Sequence, residues 1–151
     1  MVDRPVIYSG QGLSLRGDKD RFVLPPIFRK AVIESSAGKS MVYVAKHHSW
    51  DCLIGFGESR RAGLIDEIDR DLRMFQEFDC NEVGFDPSGR HVLPRHLRDL
   101  VNITDAVYFQ GSGPYFTLWS PDVLAAQAGP QWASAKAACA SLLAEGGKGR
   151  K

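Results

Sequence analysis

Two arginines stand one residue beyond short polar turns, where a guanidinium is well placed to bind an anion. Gly17-Asp18-Lys19-Asp20 precedes Arg21, and Asp86-Pro87-Ser88-Gly89 precedes Arg90. Phosphate recognition needs positive charge and N–H donors held in a fixed arrangement. Arginine suits it because its planar fork contacts phosphate or a guanine edge through two parallel hydrogen bonds. Lys19 adds a cation for phosphate, a contact that steers without specifying sequence. His91, next to Arg90, stands where it can assist. Asp86 is expected to accept backbone N–H groups of its own turn and so to order it, because a carboxylate turned outward repels phosphate. Gly89 completes that turn.

Other chemistry is poorly supported. The sequence has no Gly-x-Ser-x-Gly, no P-loop lysine and no Gly-x-Gly-x-x-Gly after a strand, so no enzyme is expected. His47, His48 and Cys52 invite a metal site, but zinc ligands come in tighter pairs, and neighbours on a strand point to opposite faces. Neither metal nor other cofactor is expected. Cys52, Cys80 and Cys139 are three in number and widely spaced, which speaks for thiols in a reducing compartment rather than a disulfide framework. Asp66, Glu67, Asp69 and Asp71 fit the solvated face of a helix.

The elements that position the two arginines are duplicated. Arg21, Val23, Leu24, Pro25 and Arg29 recur as Arg90, Val92, Leu93, Pro94 and Arg98 at a constant offset of 69 residues. Further on, Met41-Val42-Tyr43-Val44 matches Ala106-Val107-Tyr108-Phe109, and Cys52-Leu53-Ile54-Gly55-Phe56 matches Tyr115-Phe116-Thr117-Leu118-Trp119. Each copy predicts a hairpin around its polar turn: Leu13-Ser14-Leu15 and Phe22-Val23-Leu24 in one, Val83-Gly84-Phe85 and Val92-Leu93 in the other. A short helix follows, opened by Pro25-Pro26 or Pro94 and given an apolar side by Ile27, Phe28, Ala31 and Val32 in the first copy. Arg29 and Arg98 fall on these helices and suggest ion pairs or helix C-terminal contacts. Two strands complete each copy, near 41–46 and 52–56, and near 106–110 and 115–119. Between the copies Leu64, Ile65, Ile68, Leu72 and Phe75 fall on one face of a helix. Ser120-Pro121-Asp122 starts another helix, Gly129-Pro130 breaks it, and an alanine-rich helix spans 131–144 before a basic tail expected to be irregular.

A unit of about 45 residues buries too little surface to stand alone. Two such units solve this by interlocking into one small barrel, which also removes open sheet edges. The fold class expected is therefore α+β. The formal net charge of +1 means that any affinity for nucleic acid must come from a local patch. No run approaches the roughly 18 apolar residues of a membrane span, and Met1-Val2-Asp3-Arg4-Pro5 has no export signal, so a soluble cytoplasmic protein is expected.

The pattern Asp-x-x-x-Arg, then a short apolar strand and proline, resembles the turn motif of the MraZ family within the wider AbrB-type swapped-hairpin group. Tyr8-Ser9-Gly10 resembles that family's aromatic-x-Gly start. The segments from His47 to Phe56 and from Tyr115 to Trp119 resemble its two strand pairs. The likeness covers about residues 8–128. It implies two AbrB/MraZ-like repeats, 8–57 and 79–128, joined by a linker helix over 58–78 and followed by a C-terminal helix and basic tail over 129–151. It implies a cytoplasmic, nucleoid-associated transcriptional regulator of the division and cell-wall gene cluster, a repressor. Such a protein binds direct repeats in double-stranded promoter DNA as a ring-shaped homo-oligomer, with no membrane or small-molecule partner. The DNA contacts would be Lys19, Arg21, Arg90 and the adjacent His91. The first turn departs from the pattern: Gly17 replaces the aspartate and Asp20 the glycine, leaving Asp18 to order it beside Asp86 and Gly89 in the second. The alternative is an oligomeric scaffold ring that has lost DNA binding.

Overall fold

The computed structural model describes residues 6–63 and 80–149. Strand β1 (Gln11–Leu15) leads through the first turn to β2 (Phe22–Val23), helix α1 (Pro26–Ser35) and the hairpin β3 (Met41–Lys46) and β4 (Leu53–Phe56). Helix α2 (Glu58–Gly63) begins the connection to the second copy. The order then repeats: β5 (Asn81–Gly84), β6 (Arg90–His91), α3 (Arg95–Leu100), β7 (Ala106–Gly111) and β8 (Phe116–Trp119). Helices α4 (Pro121–Ala125) and α5 (Ala133–Gly149) close the chain. Proline sets the helix starts: Pro26 and Pro121 are first residues, and Pro94 immediately precedes α3. Their missing N–H groups would have no partner there in any case.

The copies do not form separate sheets. Six strands run in the order β1-β7-β8-β4-β3-β5, all neighbours antiparallel, while β2 and β6 make a two-stranded ribbon. Exchanging the copies turns this order into its own reverse. The first strand of each copy lies against the third strand of the other, and the two fourth strands meet at the centre. Register obeys the same symmetry. Ile54 faces Thr117 and Phe22 faces His91, each residue opposite its own counterpart. A pseudo-two-fold axis therefore passes through both pairs. The edges of the sheet, β1 and β5, do not pair with each other among the described residues, so strand pairing does not make the closed barrel expected from sequence.

Phe28, Phe109, Phe116 and Tyr8 fill the centre of the core, with Phe28 stacked on Phe116 at 4.9 Å between ring centroids. Such pairs contribute about 0.5–1.5 kcal/mol beyond their burial. Phe116 can lie across β4 only because Gly55 has no side chain: a Cβ there would stand 2.5 Å from its ring. A second cluster of Cys52, Tyr108, Trp119, Leu124 and Cys139 anchors α4 and α5, and α5 packs on β1. No cysteine is in a disulfide. Burial pushes the Cys52 and Cys139 thiols up, the latter to about 11, so both stay protonated and inert.

Several local expectations change in the folded chain. In Leu13-Ser14-Leu15 it is Ser14 that is fully buried, while Leu15 is partly exposed. The β1 backbone is pinned between β7 and β2, and the Ser14 hydroxyl serves the β2 backbone. On α1, Phe28 and Val32 are buried but Ile27 is exposed beside Gly10. The basic tail is helical as far as Gly149, since extending a formed helix is easier than nucleating one. Beyond Gly63 the expected linker helix, with its acidic cluster, lies outside the described residues.

Candidate nucleic-acid interface

Side-chain alternation divides the β2–β6 ribbon into two faces. Phe22 and His91 are buried, at 0% and 4% exposure. Arg21, Val23, Arg90 and Val92 take the opposite, outer face, with Arg90 exposed and Val92 51% exposed. Antiparallel register displaces Arg21 from Arg90 by two residues along the ribbon and one strand across, roughly 8 Å between Cα atoms. The two turns leave from opposite ends of this ribbon.

The second turn is held by its own carboxylate. Asp86 Oδ1 accepts the Ser88 and Arg90 N–H groups, both at 2.9 Å, and Oδ2 accepts the Arg90 Nε–H at 2.8 Å. The Arg90 N–H and guanidinium hold the Asp86 carboxyl below its usual range. In the backbone, Gly89 N–H donates to Asp86 O and Asp86 N–H to Arg90 O. The first turn has the same frame, with Gly17 N–H donating to Arg21 O at 2.8 Å. Here Asp18 acts through its main-chain carbonyl, which accepts both the Arg21 N–H and its Nε–H. Each arginine thus closes onto its own turn through Nε. Its Nη groups have no partner among the described residues.

His91 stands apart from the other candidates. It is buried, its Nδ1–H donates to the Gly89 carbonyl at 3.0 Å, and burial lowers its pKa. It supports the second turn from inside and is not on the outer face. Lys19 is exposed at the tip of the first turn.

The metal alternative meets a different geometry. His47 Nδ1 accepts the Ser49 and Trp50 N–H groups at 2.9 Å, and Nε2 lies 3.1 Å from the Tyr115 hydroxyl, so both ring nitrogens are engaged. Among the described residues no group of three or more His, Cys, Asp or Glu is placed to hold a metal ion, and no helix is long and apolar enough to cross a membrane.

No protein-family model matches the chain. Individual proteins do. A protein of Gluconacetobacter diazotrophicus named Transcriptional regulator MraZ is 31% identical over 114 residues, covering 68% of this chain and 72% of its own. A protein of the same name from Gluconobacter oxydans is 31% identical over 117 residues, 71% of each chain. The chain belongs to the MraZ family. A further MraZ protein, from Caulobacter vibrioides, is 29% identical over 136 residues, 84% of this chain and 85% of its own.

Within this MraZ-family chain the two turns are built unequally. Gly89 adopts φ +87° in the second turn, whereas the first has two non-glycine residues in the left-handed region, Lys19 at +60° and Asp20 at +59°. Two arginines bearing on the turns escaped the site reading of the sequence. Arg16 reaches Asp20 at 3.8 Å and Asp105 at 3.2 Å, tying the first turn to the second copy. Arg29 donates to the Leu24 and Pro87 carbonyls rather than forming the ion pair or helix C-terminal contact expected of it. Its recurrence as Arg98 was a visible signal; its target was not, because Pro87 is 58 residues away.

Proposed function

We propose that this chain is a sequence-specific DNA-binding transcriptional regulator, a repressor of a division and cell-wall gene cluster, and not an enzyme. It acts in the cytoplasm on the nucleoid, without cofactor or membrane partner. The observation that carries this reading is the outer face of the ribbon: Arg21 and Arg90 are each anchored through Nε, and their Nη groups have no partner among the described residues. A major groove about 12 Å wide admits a two-stranded ribbon. Lys19, Arg21 and Arg90 are the proposed contacts. Relatives named transcriptional regulators support the same reading.

The charges of one subunit are too few for tight binding. Asp18, Asp20 and Asp86 flank the cations, and three phosphate contacts give a log–log salt slope of only about −3. Assembly raises affinity by roughly 10²–10⁴ when several subunits share one duplex. A head-to-tail homo-oligomeric ring repeats the face in one sense and so suits direct promoter repeats. We take the fold as two swapped-hairpin repeats, 8–57 and 79–128, with a linker over 58–78 and a C-terminal element over 129–151. The strand order, its own reverse under copy exchange, supports that description.

A gel shift with the DNA upstream of its own gene tests the function. Arg21→Ala combined with Arg90→Ala should abolish retention while leaving the chain folded and assembled; unchanged binding rejects the site. The second reading, a scaffold ring without DNA binding, is favoured by the ion pairs that Asp20 and Asp105 make with Arg16 beside the first turn. Absence of binding by the wild-type protein at low salt would select it.

A further inference from the structure

We infer that Arg29 is a positioning residue for the second recognition turn, a guanidinium from one copy that braces the Asp86–Gly89 backbone of the other. The inference rests on the DNA-binding function proposed above. Arg29 lies in the first turn of α1. Its Nη2 donates to the Leu24 carbonyl at 3.0 Å and its Nη1 reaches the Pro87 carbonyl at 3.4 Å. The guanidinium fills the space beside Gly89, where a Cβ would stand 2.7 Å from Nε and 2.9 Å from Nη2. Leu24 itself donates its N–H to the Gly89 carbonyl at 2.8 Å. The end of β2, the start of α1 and the second turn therefore meet on one cation.

The arrangement needs the fork of arginine. Two carbonyls on different segments each receive a separate Nη–H from one planar fork, a fixed geometry that the compact ammonium of lysine does not share. Arg29 Nε is buried without a hydrogen-bond partner among the described residues. Its cost is accepted where the guanidinium wedges under the turn. Arg29 is half-buried with its Nε enclosed beside Gly89, whereas Arg90 is exposed on the outer face, so the role assigned to Arg29 is to hold the loop rather than to touch a ligand. A turn already fixed in its binding geometry loses less entropy on association.

Among the described residues the first turn has no guanidinium from the other copy donating to its backbone; Arg16, on its own copy, ties it to Asp105 instead. The side chain of Arg98, the counterpart of Arg29, makes no hydrogen bond among the described residues, and its Nε is likewise buried and unpaired. Lys19 and Asp20 hold left-handed conformations there without a glycine. The second turn is thus the preformed recognition element and the first the adaptable one.

The test compares Arg29→Ala, Arg29→Lys and Arg90→Ala in titrations of a duplex from upstream of the gene, over a range of salt. Arg29→Ala should weaken binding about tenfold, the scale of one charge-assisted hydrogen bond, with the salt slope unchanged. Arg90→Ala should make the slope shallower by about 0.9, the signature of a lost phosphate contact. Arg29→Lys should recover little of the affinity. A slope for Arg29→Ala as shallow as that of Arg90→Ala, unchanged affinity, or full rescue by lysine would each overturn the brace. Hydrogen exchange supplies an independent measurement on Arg29→Lys, which keeps the charge. The Gly89, Arg90 and Leu24 amides should exchange faster than in the wild type, and equal protection overturns the inference. If the wild-type protein binds no DNA at low salt, the proposed function fails, and amide exchange still decides the brace.

Discussion

Phe22 lies directly opposite His91 in the β2–β6 ribbon, and the two occupy the same place in the two copies. One is an apolar ring and the other a titratable one, yet both are buried. Burial favours the neutral imidazole and lowers the His91 pKa. An unfolded histidine takes up its proton near pH 6.5. Below that value the unfolded chain binds more protons than the folded one, so stability is full above about pH 6.5 and declines as pH falls, until the folded site also titrates. Urea unfolding at pH 7.5 and pH 5 should show the loss. His91→Phe, which copies the partner residue, should reduce the difference by as much as about 2 kcal/mol, the limit for an imidazole that stays neutral in the fold. An identical pH dependence in both proteins would contradict this.

Asp86 titrates with the same sign at lower pH. Its carboxyl is held below the usual value by Arg90, so its contribution to turn order is present above about pH 4 and fades as pH falls through the folded value. Asp86→Asn keeps an oxygen for the Ser88 and Arg90 N–H groups but loses the ion pair, whereas Asp86→Ala loses both. Exchange of the Arg90 amide should rank wild type slowest, Asp86→Asn next and Asp86→Ala fastest.

Substitutions at the ends of the two turns should have opposite signs. Gly89→Ala places a Cβ 2.6 Å from the Leu24 carbonyl oxygen at φ +87°, and should destabilise by about 1–3 kcal/mol. Asp20→Gly relieves a left-handed aspartate at φ +59° and should stabilise by up to about 1 kcal/mol. Urea midpoints of the two variants check both directions.

Ser14 is fully buried, and its hydroxyl accepts the Val23 N–H at 2.8 Å while donating to the Leu15 carbonyl at 3.2 Å. Ser14→Ala leaves the Val23 amide without this partner and should cost about 1–3 kcal/mol. Thermal or urea unfolding measures it, and a loss below 0.5 kcal/mol, on the scale of an ordinary surface change, would rule out a structural role.

Much of the local architecture was legible in the chain. Proline marked the starts of α1 and α4, and hydrophobic runs located β3, β4, β7 and β8 within a residue or two. The places of Arg21 and Arg90 at the turn exits were legible because each arginine and the Val-Leu-Pro that follows it recur. His91 was misjudged for a definite reason: sequence adjacency to Arg90 says nothing about which face of a strand a side chain takes, and pairing against Phe22 turned it inward.

The amino-acid order by itself determined the recurrence of segments at an offset of 69 residues, the place of most strands though not of β6, which is Arg90–His91 and not the expected Val92-Leu93, and which residues carry positive charge at the turn exits. These follow from backbone preferences and hydrophobic periods that act over a few residues. Only the tertiary structure decided that β1 lies on β7 and β5 on β3, that Ser14 faces inward, and that Arg29 reaches Pro87. Those relations depend on packing and hydrogen bonds between segments remote along the chain, whose partners are chosen only when the whole sheet closes around one core.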